Sequence, residues 1–186
     1  KPGDYGVRNI SMHAENNPAY ACLLINNKDD DDNGITDPED GVDNINDNAD
    51  GTLDGDLSKD FQLFAWEDRD GDQRYEPLAP NLEPALIHDG GNSNPDSFFD
   101  ITYEIFFDST SGIGPLTQNN VRHIGLAWCA GNQVVTHNNN VGNIVCNGSG
   151  MGDISQTDEF SADVVLYAEQ VRNNPNFSCA SVVLPQ

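Results

Sequence analysis

The sequence predicts an all-β protein, a β-sandwich that carries long acidic calcium-binding loop insertions. Three observations point there. Short runs of period-two apolar residues recur along the chain, with clusters of Gly, Pro and Asn between them. Carboxylates recur at the spacing that wraps oxygen ligands around a hard cation. Four cysteines lie far apart without a C-x-x-C pair, which fits disulfides better than a zinc or redox site.

The strands follow in order. Tyr5–His13 alternates with β-branched residues, and Ala19–Asn26 is an apolar run announced by Asn17-Pro18. The acidic insertion at 27–60 shows no apolar period. In Phe61–Trp66 both the odd and the even positions are largely apolar, which predicts a strand covered on both faces. Residues 77–97 read as loop from their Pro, Asn and Gly content. Phe99–Phe107 and Arg122–Ala130 read as strands, the second ending in Trp128-Cys129. After a turn at Gly131-Asn132, Gln133–Thr136 and Asn143–Cys146 form two short strands around a hairpin tip at Asn138-Asn139-Asn140. Residues 158–172 fit period two, but also a broad helical face. The Val164-Val165 pair and the strand-rich context favour a long strand. No linker divides residues 1–186, so they read as one domain.

The strongest cation-loop match is Asp68-Arg69-Asp70-Gly71-Asp72-Gln73-Arg74-Tyr75-Glu76. Asp68, Asp70, Asp72 and Glu76 take positions 1, 3, 5 and 9, with a carbonyl of Gln73 or Arg74 expected to complete the shell around Ca²⁺. A second match sets Asp29, Asp31, Asn33, Gly34, Asp37 and Asp40 at positions 1, 3, 5, 6, 9 and 12. A third sets Asn46, Asn48, Asp50, Gly51 and Asp54 at positions 1, 3, 5, 6 and 9. The competing reading is a metal-free acidic loop, since residues 29–60 hold thirteen Asp or Glu and one Lys.

Charge narrows the partners. The formal net charge of −23 disfavours nucleic acid and anionic membrane surfaces, which are met by Lys and Arg. It also makes a compact fold repel itself, and divalent ions would relieve that. No run of 18 apolar residues is present to span a membrane. The opening Lys1-Pro2-Gly3-Asp4, without Met or a leader, suggests a processed product. Cys22, Cys129, Cys146 and Cys179 allow three pairings. The hairpin tip between Cys129 and Cys146 favours that pair, and Cys22–Cys179 would then join an early strand to the C-terminal region. In a reducing compartment all four would instead be buried thiols.

The chain contains no H-E-x-x-H, and its histidines, His13, His88, His123 and His137, are dispersed. Asn147-Gly148-Ser149-Gly150-Met151-Gly152 lacks the Lys of a phosphate loop and the first Gly of a nucleophile elbow. Catalytic residues are therefore not expected. Three sequons, at Asn9, Asn147 and Asn176, are candidate glycosylation sites in a cell that glycosylates secreted proteins.

Several segments resemble the TasA/camelysin family of secreted proteins. They are Lys1-Pro2-Gly3-Asp4-Tyr5-Gly6, Ile10–Pro18, Phe64-Ala65-Trp66-Glu67-Asp68 through Glu76-Pro77, and Ile124–Cys129. Cys146–Gly150, Gln156-Thr157-Asp158 and Gln170–Phe177 resemble the end of its cysteine-containing members. The resemblance implies a jelly-roll-like sandwich and a structural role. Members build biofilm-matrix fibres or bundling pili, homopolymers outside the cell in which a strand of one subunit completes the sheet of the next. Members usually carry that strand ahead of the Pro-Gly-Asp motif, whereas this sequence starts at the motif. Camelysin's association with peptidase activity supplies an enzyme alternative, with no catalytic residue that maps here. A calcium-dependent surface adhesin is the remaining alternative.

Overall fold

The computed structural model describes residues 1–32, 37, 55–78, 80–89, 91–139 and 141–184. Ten strands, one α-helical turn and three single 3-10 turns, at Gly148–Gly150, Asp153–Ser155 and Cys179–Ser181, make up the regular structure of these residues. The strands and the α-helical turn are β1 (Tyr5–His13), β2 (Ala19–Asp31), α1 (Leu57–Asp60), β3 (Phe61–Asp68), β4 (Ile87–His88), β5 (Asp96–Ser97) and β6 (Tyr103–Phe107). β7 (Val121–Ala130), β8 (Asn132–Asn138), β9 (Val141–Asn147) and β10 (Glu159–Gln170) follow. All ladders between named strands are antiparallel. One sheet runs β1-β7-β3-β5, the second runs β10-β2-β6-β4, and β8-β9 is a separate hairpin. The protein is thus an all-β sandwich, as its alternation predicts.

Packing explains the alternation. Ile10 and Met12 on β1, Ala65 on β3 and Ile124 on β7 meet Leu23 of β2 and Phe106 of β6 between the sheets. Leu63, Trp128, Ile25 and Ile101 extend this layer. The opposite faces are covered too. Phe64, Trp66 and Ala127 pack on Val135 and Ile144 of the hairpin and on Tyr75. That is why β3 is apolar at odd and even positions alike. Cys22, Leu24 and Ile105 are covered by the C-terminal Phe177, Val182 and Leu184. Gly125 lies opposite Trp66 in the ladder, and a Cβ there would sit 2.2 Å from the indole ring, so only glycine admits that ring.

Each disulfide pins one of these covers to its sheet. Cys129–Cys146 ties the hairpin to β7, and Cys22–Cys179 ties the C-terminal segment to β2. Both are the pairings expected from the sequence. The turn at Asn139 has φ 56°, a left-handed conformation that Asn tolerates.

Some boundaries differ from expectation. β2 continues five residues beyond Asn26, so 27–31 belong to the sheet and not to an insertion. The extension is held by β10, which pairs Glu159 with Asp31 and Ser161 with Asp29. Residues 57–60 form the turn of helix α1 rather than loop. The 77–97 stretch holds β4 and β5, two-residue edge segments too short to leave a periodic signal. Phe99–Thr102 precedes β6 as a turn and bend, in which the Ile101 N–H donates to the Ser97 carbonyl. Residues 158–172 resolve to strand, because β10 finds an eleven-residue ladder along β2.

Candidate functional site

The acidic loop after β3 is built on Asp68, the last residue of that strand. Asp68 is fully buried, and its carboxylate accepts from the Gly71 and Gln73 N–H groups at 2.9 Å each. Asn9 on β1 donates to the same carboxylate through Nδ2. Gly71 and Gln73 adopt φ 77° and 69°, which folds the loop back over His123. Asp70 and Asp72 repeat the motif two residues on, accepting from the Asp72 N–H at 3.2 Å and the Arg74 N–H at 2.8 Å.

This folding brings two sets of carboxylates together. Oxygens of Asp70, Asp72 and Glu76 lie within 4.8 Å of one another, and so do those of Asp68, Asp70 and Glu83. Asp70 belongs to both sets. Asn81 donates its side-chain amide to Asp70 at 2.8 Å and also to Glu76. Turning that amide over would present its oxygen to the same point. An all-oxygen donor set of carboxylates and one amide fits a hard divalent cation. Asp68 Oδ1 and each Glu83 oxygen accept one backbone hydrogen bond apiece, which leaves a lone pair on each for an ion.

Glu83 and Asn81 are the residues that the sequence did not reveal. Both sit in the stretch read as loop, beyond the end of the spacing template. Glu83 is 1% exposed and accepts from the Arg69 N–H at 2.9 Å and the Glu76 N–H at 2.8 Å. Burial, and then the like charges of Asp68 and Asp70, push its carboxyl up to about 7 against the lowering effect of those hydrogen bonds. A bound cation would reverse the repulsive contribution. Of the two main-chain carbonyls expected to complete the shell, Gln73 and Arg74, one is already engaged. The Arg74 carbonyl accepts from Trp66 Nε1 at 2.9 Å and is held against the core.

The two other cation loops fare differently. Asp29 and Asp31 lie in β2 and are exposed, whereas their neighbour Asp30 is buried. Strand alternation turns them to solvent, in a ladder with β10. Asp30 instead accepts from the Ser58 N–H at 2.9 Å and anchors helix α1. Asp37 is exposed. Asn33, Asp40, Asn46, Asn48, Asp50 and Asp54 lie outside the described residues. Among the sequons, the Asn9 amide is engaged with Asp68. Asn147 accepts from the Ser149 N–H at 3.0 Å. The segment holding Asn176 packs over the second sheet through Phe177.

A second feature lies on the side of the sandwich where β1 and β10 are the edges. Among the described residues, β1 pairs as a strand only with β7, and β10 only with β2. The gap between them opens a groove of about 240 Å³ running over Leu63, Leu126 and Trp128 of one sheet and Leu23 and Ile25 of the other. Val164 and Leu166 of β10 pair with Ile25 and Leu23, so they share the inward orientation of those core residues. They are nevertheless 57% and 49% exposed. These inward-facing aliphatic side chains of an edge strand thus remain exposed to solvent.

No helix is long and apolar enough to cross a membrane among the described residues. Comparison with protein-family models, with curated proteins and with solved structures finds no match to this chain.

Proposed function

We propose that this chain is a structural subunit of an extracellular filament, joined to its neighbours by β-strand complementation and braced by Ca²⁺ and disulfides. The open, apolar gap between β1 and β10 is the observation that carries this reading. An extended segment of a neighbouring subunit laid there would pair with an edge strand and cover Val164 and Leu166. Main-chain hydrogen bonds would supply affinity and alternate side chains the register. A head-to-tail contact of this kind does not close, so it propagates as a fibre. The two disulfides suit an oxidising, extracytoplasmic setting. The resemblance to TasA and camelysin, carried by the segments named above, points the same way.

Fibres seen by electron microscopy of the purified chain test the reading. Val164→Asp places a charge in the groove on an already exposed side chain, so the fold should survive. It should abolish pelletable fibres. Normal fibres from Val164→Asp would reject the groove as the joint.

Calcium is assigned to the loop after β3, with Asp70 central because it serves both carboxylate sets. Isothermal titration should detect one site per chain that Asp70→Ala removes, and Glu83→Gln should weaken it at least tenfold. Equal stoichiometry in wild type and Asp70→Ala would sink the assignment. Divalent ions there would also lessen the self-repulsion of stacked subunits that each carry a net charge of −23.

A further inference from the structure

The groove between β1 and β10 is apolar except at one place. Among its lining residues the single charged side chain is Arg8 of β1, in a protein with only eight Lys and Arg in total. Arg8 pairs with Leu126 and is flanked on its own strand by Ile10 and Met12, which point between the sheets. By parity its side chain leaves β1 on the core side. The side chain nonetheless remains exposed, at the rim of the groove.

The guanidinium has no acidic partner among the described residues. Its Nη1 donates instead to the carbonyl of Val7, at 2.9 Å. The Ala130 N–H donates to the Asp4 carbonyl at 2.8 Å. By the two-residue alternation of an antiparallel ladder, Gly6 and Arg8 then turn their main-chain groups towards β7, and Val7 turns its own to the open edge. Arg8 thus rests on an edge acceptor that an arriving strand would use.

We propose that Arg8 selects and registers the occupant of this groove, an extended segment of a second copy of the chain with apolar residues on one face and a carboxylate opposite Arg8. This rests on the filament reading and adds to it the chemistry of the incoming strand. Charge complementarity argues for the second copy. Arg8 is a solvent-exposed cation at the rim of an apolar slot, with no acidic partner among the described residues, and every copy carries 31 Asp and Glu residues. The carboxylate draws the guanidinium off Val7, which frees that carbonyl for the N–H of the arriving strand. A strand slipped by one residue would turn its carboxylate away from Arg8 and its apolar face to water. One contact therefore sets both which segment binds and in which register.

The test is the rate of fibre growth from purified chain, followed by sedimentation for wild type, Arg8→Lys, Arg8→Gln, Arg8→Glu and Val164→Asp, at low and high salt. Circular dichroism and melting temperature establish that each variant is folded. We expect Arg8→Lys within about threefold of wild type, Arg8→Gln about tenfold slower, and Arg8→Glu slower by about a hundredfold or more. Salt screens the repulsion between subunits of net charge −23 in every variant and weakens the Arg8 contact only where Arg8 is present, so it should favour growth of Arg8→Gln more than growth of wild type. If all Arg8 variants grow like wild type while Val164→Asp does not grow, the role of Arg8 falls and the filament reading stands. Faster growth of Arg8→Gln would also overturn the proposal, making Arg8 a guard against edge pairing. If Val164→Asp grows normally, or wild type never assembles, the occupant is not a second copy in this groove and both readings fall.

Discussion

Replacing Cys22 and Cys179 together by Ala should destabilise the protein more than any other paired substitution at its cysteines. The bridge closes a loop with a sequence separation of 157, against 17 for Cys129–Cys146. On the chain-entropy relation these correspond to about 5 and about 3 kcal/mol. The difference has a structural counterpart. Without the first bridge, Phe177, Val182 and Leu184 lose the anchor that holds them over Leu24 and Ile105. Without the second, the β8–β9 hairpin keeps its own seven-pair ladder and its packing on Phe64 and Trp66. Guanidinium unfolding of the two double variants measures both effects. A smaller loss for Cys22→Ala/Cys179→Ala than for Cys129→Ala/Cys146→Ala would overturn this ordering.

The second large effect is expected at Glu104, a carboxyl at the centre of the second sheet. Glu104 pairs with Leu23 on one side and His88 on the other, and it is 1% exposed. Its Oε2 has no hydrogen-bond partner. Burial, and then the charges of Asp89 and Asp96, push it up to about 8. The facing His88 engages main-chain carbonyls and not this carboxylate. Its two ring nitrogens lie against the carbonyls of Asp89 and Asn94 at 2.8 and 3.0 Å. The folded state therefore binds a proton that the unfolded chain has released above about pH 4.5. A raised folded pKa means that this contribution to stability is full below about pH 4.5. It is lost progressively as pH rises to about 8. The loss is on the order of 5 kcal/mol. Glu104→Gln keeps the shape without the ionisation. Its stability relative to wild type should thus rise between pH 5 and pH 9. A constant difference between the two proteins over that range would show that Glu104 does not titrate as its surroundings dictate.

How much of this was legible beforehand depends on the range of the interaction concerned. The sequence determined the all-β class, because period-two alternation is local and is written into consecutive residues such as Ile10, Met12, Leu63 and Ala65. It determined the Asp68–Glu76 loop as well, since Asp68, Asp70 and Asp72 organise that turn through bonds to N–H groups two to five residues away. The disulfide pairing was legible because the hairpin between Cys129 and Cys146 has a turn of its own.

Other features were decided by contacts distant in sequence. Asp29 and Asp31 match the ligand spacing of a loop, yet β10 recruits them into a ladder with residues 159–161 and alternation turns them outward. Glu83 reaches the acidic loop because the Glu83 N–H bonds to the Glu76 carbonyl and the Glu67 N–H to the Pro84 carbonyl. No spacing rule encodes that fold-back. The groove exists only because two strands 154 positions apart at their start, Tyr5 and Glu159, end up as neighbouring unpaired edges. Arg8 in sequence is one charge in an alternating strand. Parity and the open edge place it at the rim of an apolar slot, and both are properties of the assembled sheets.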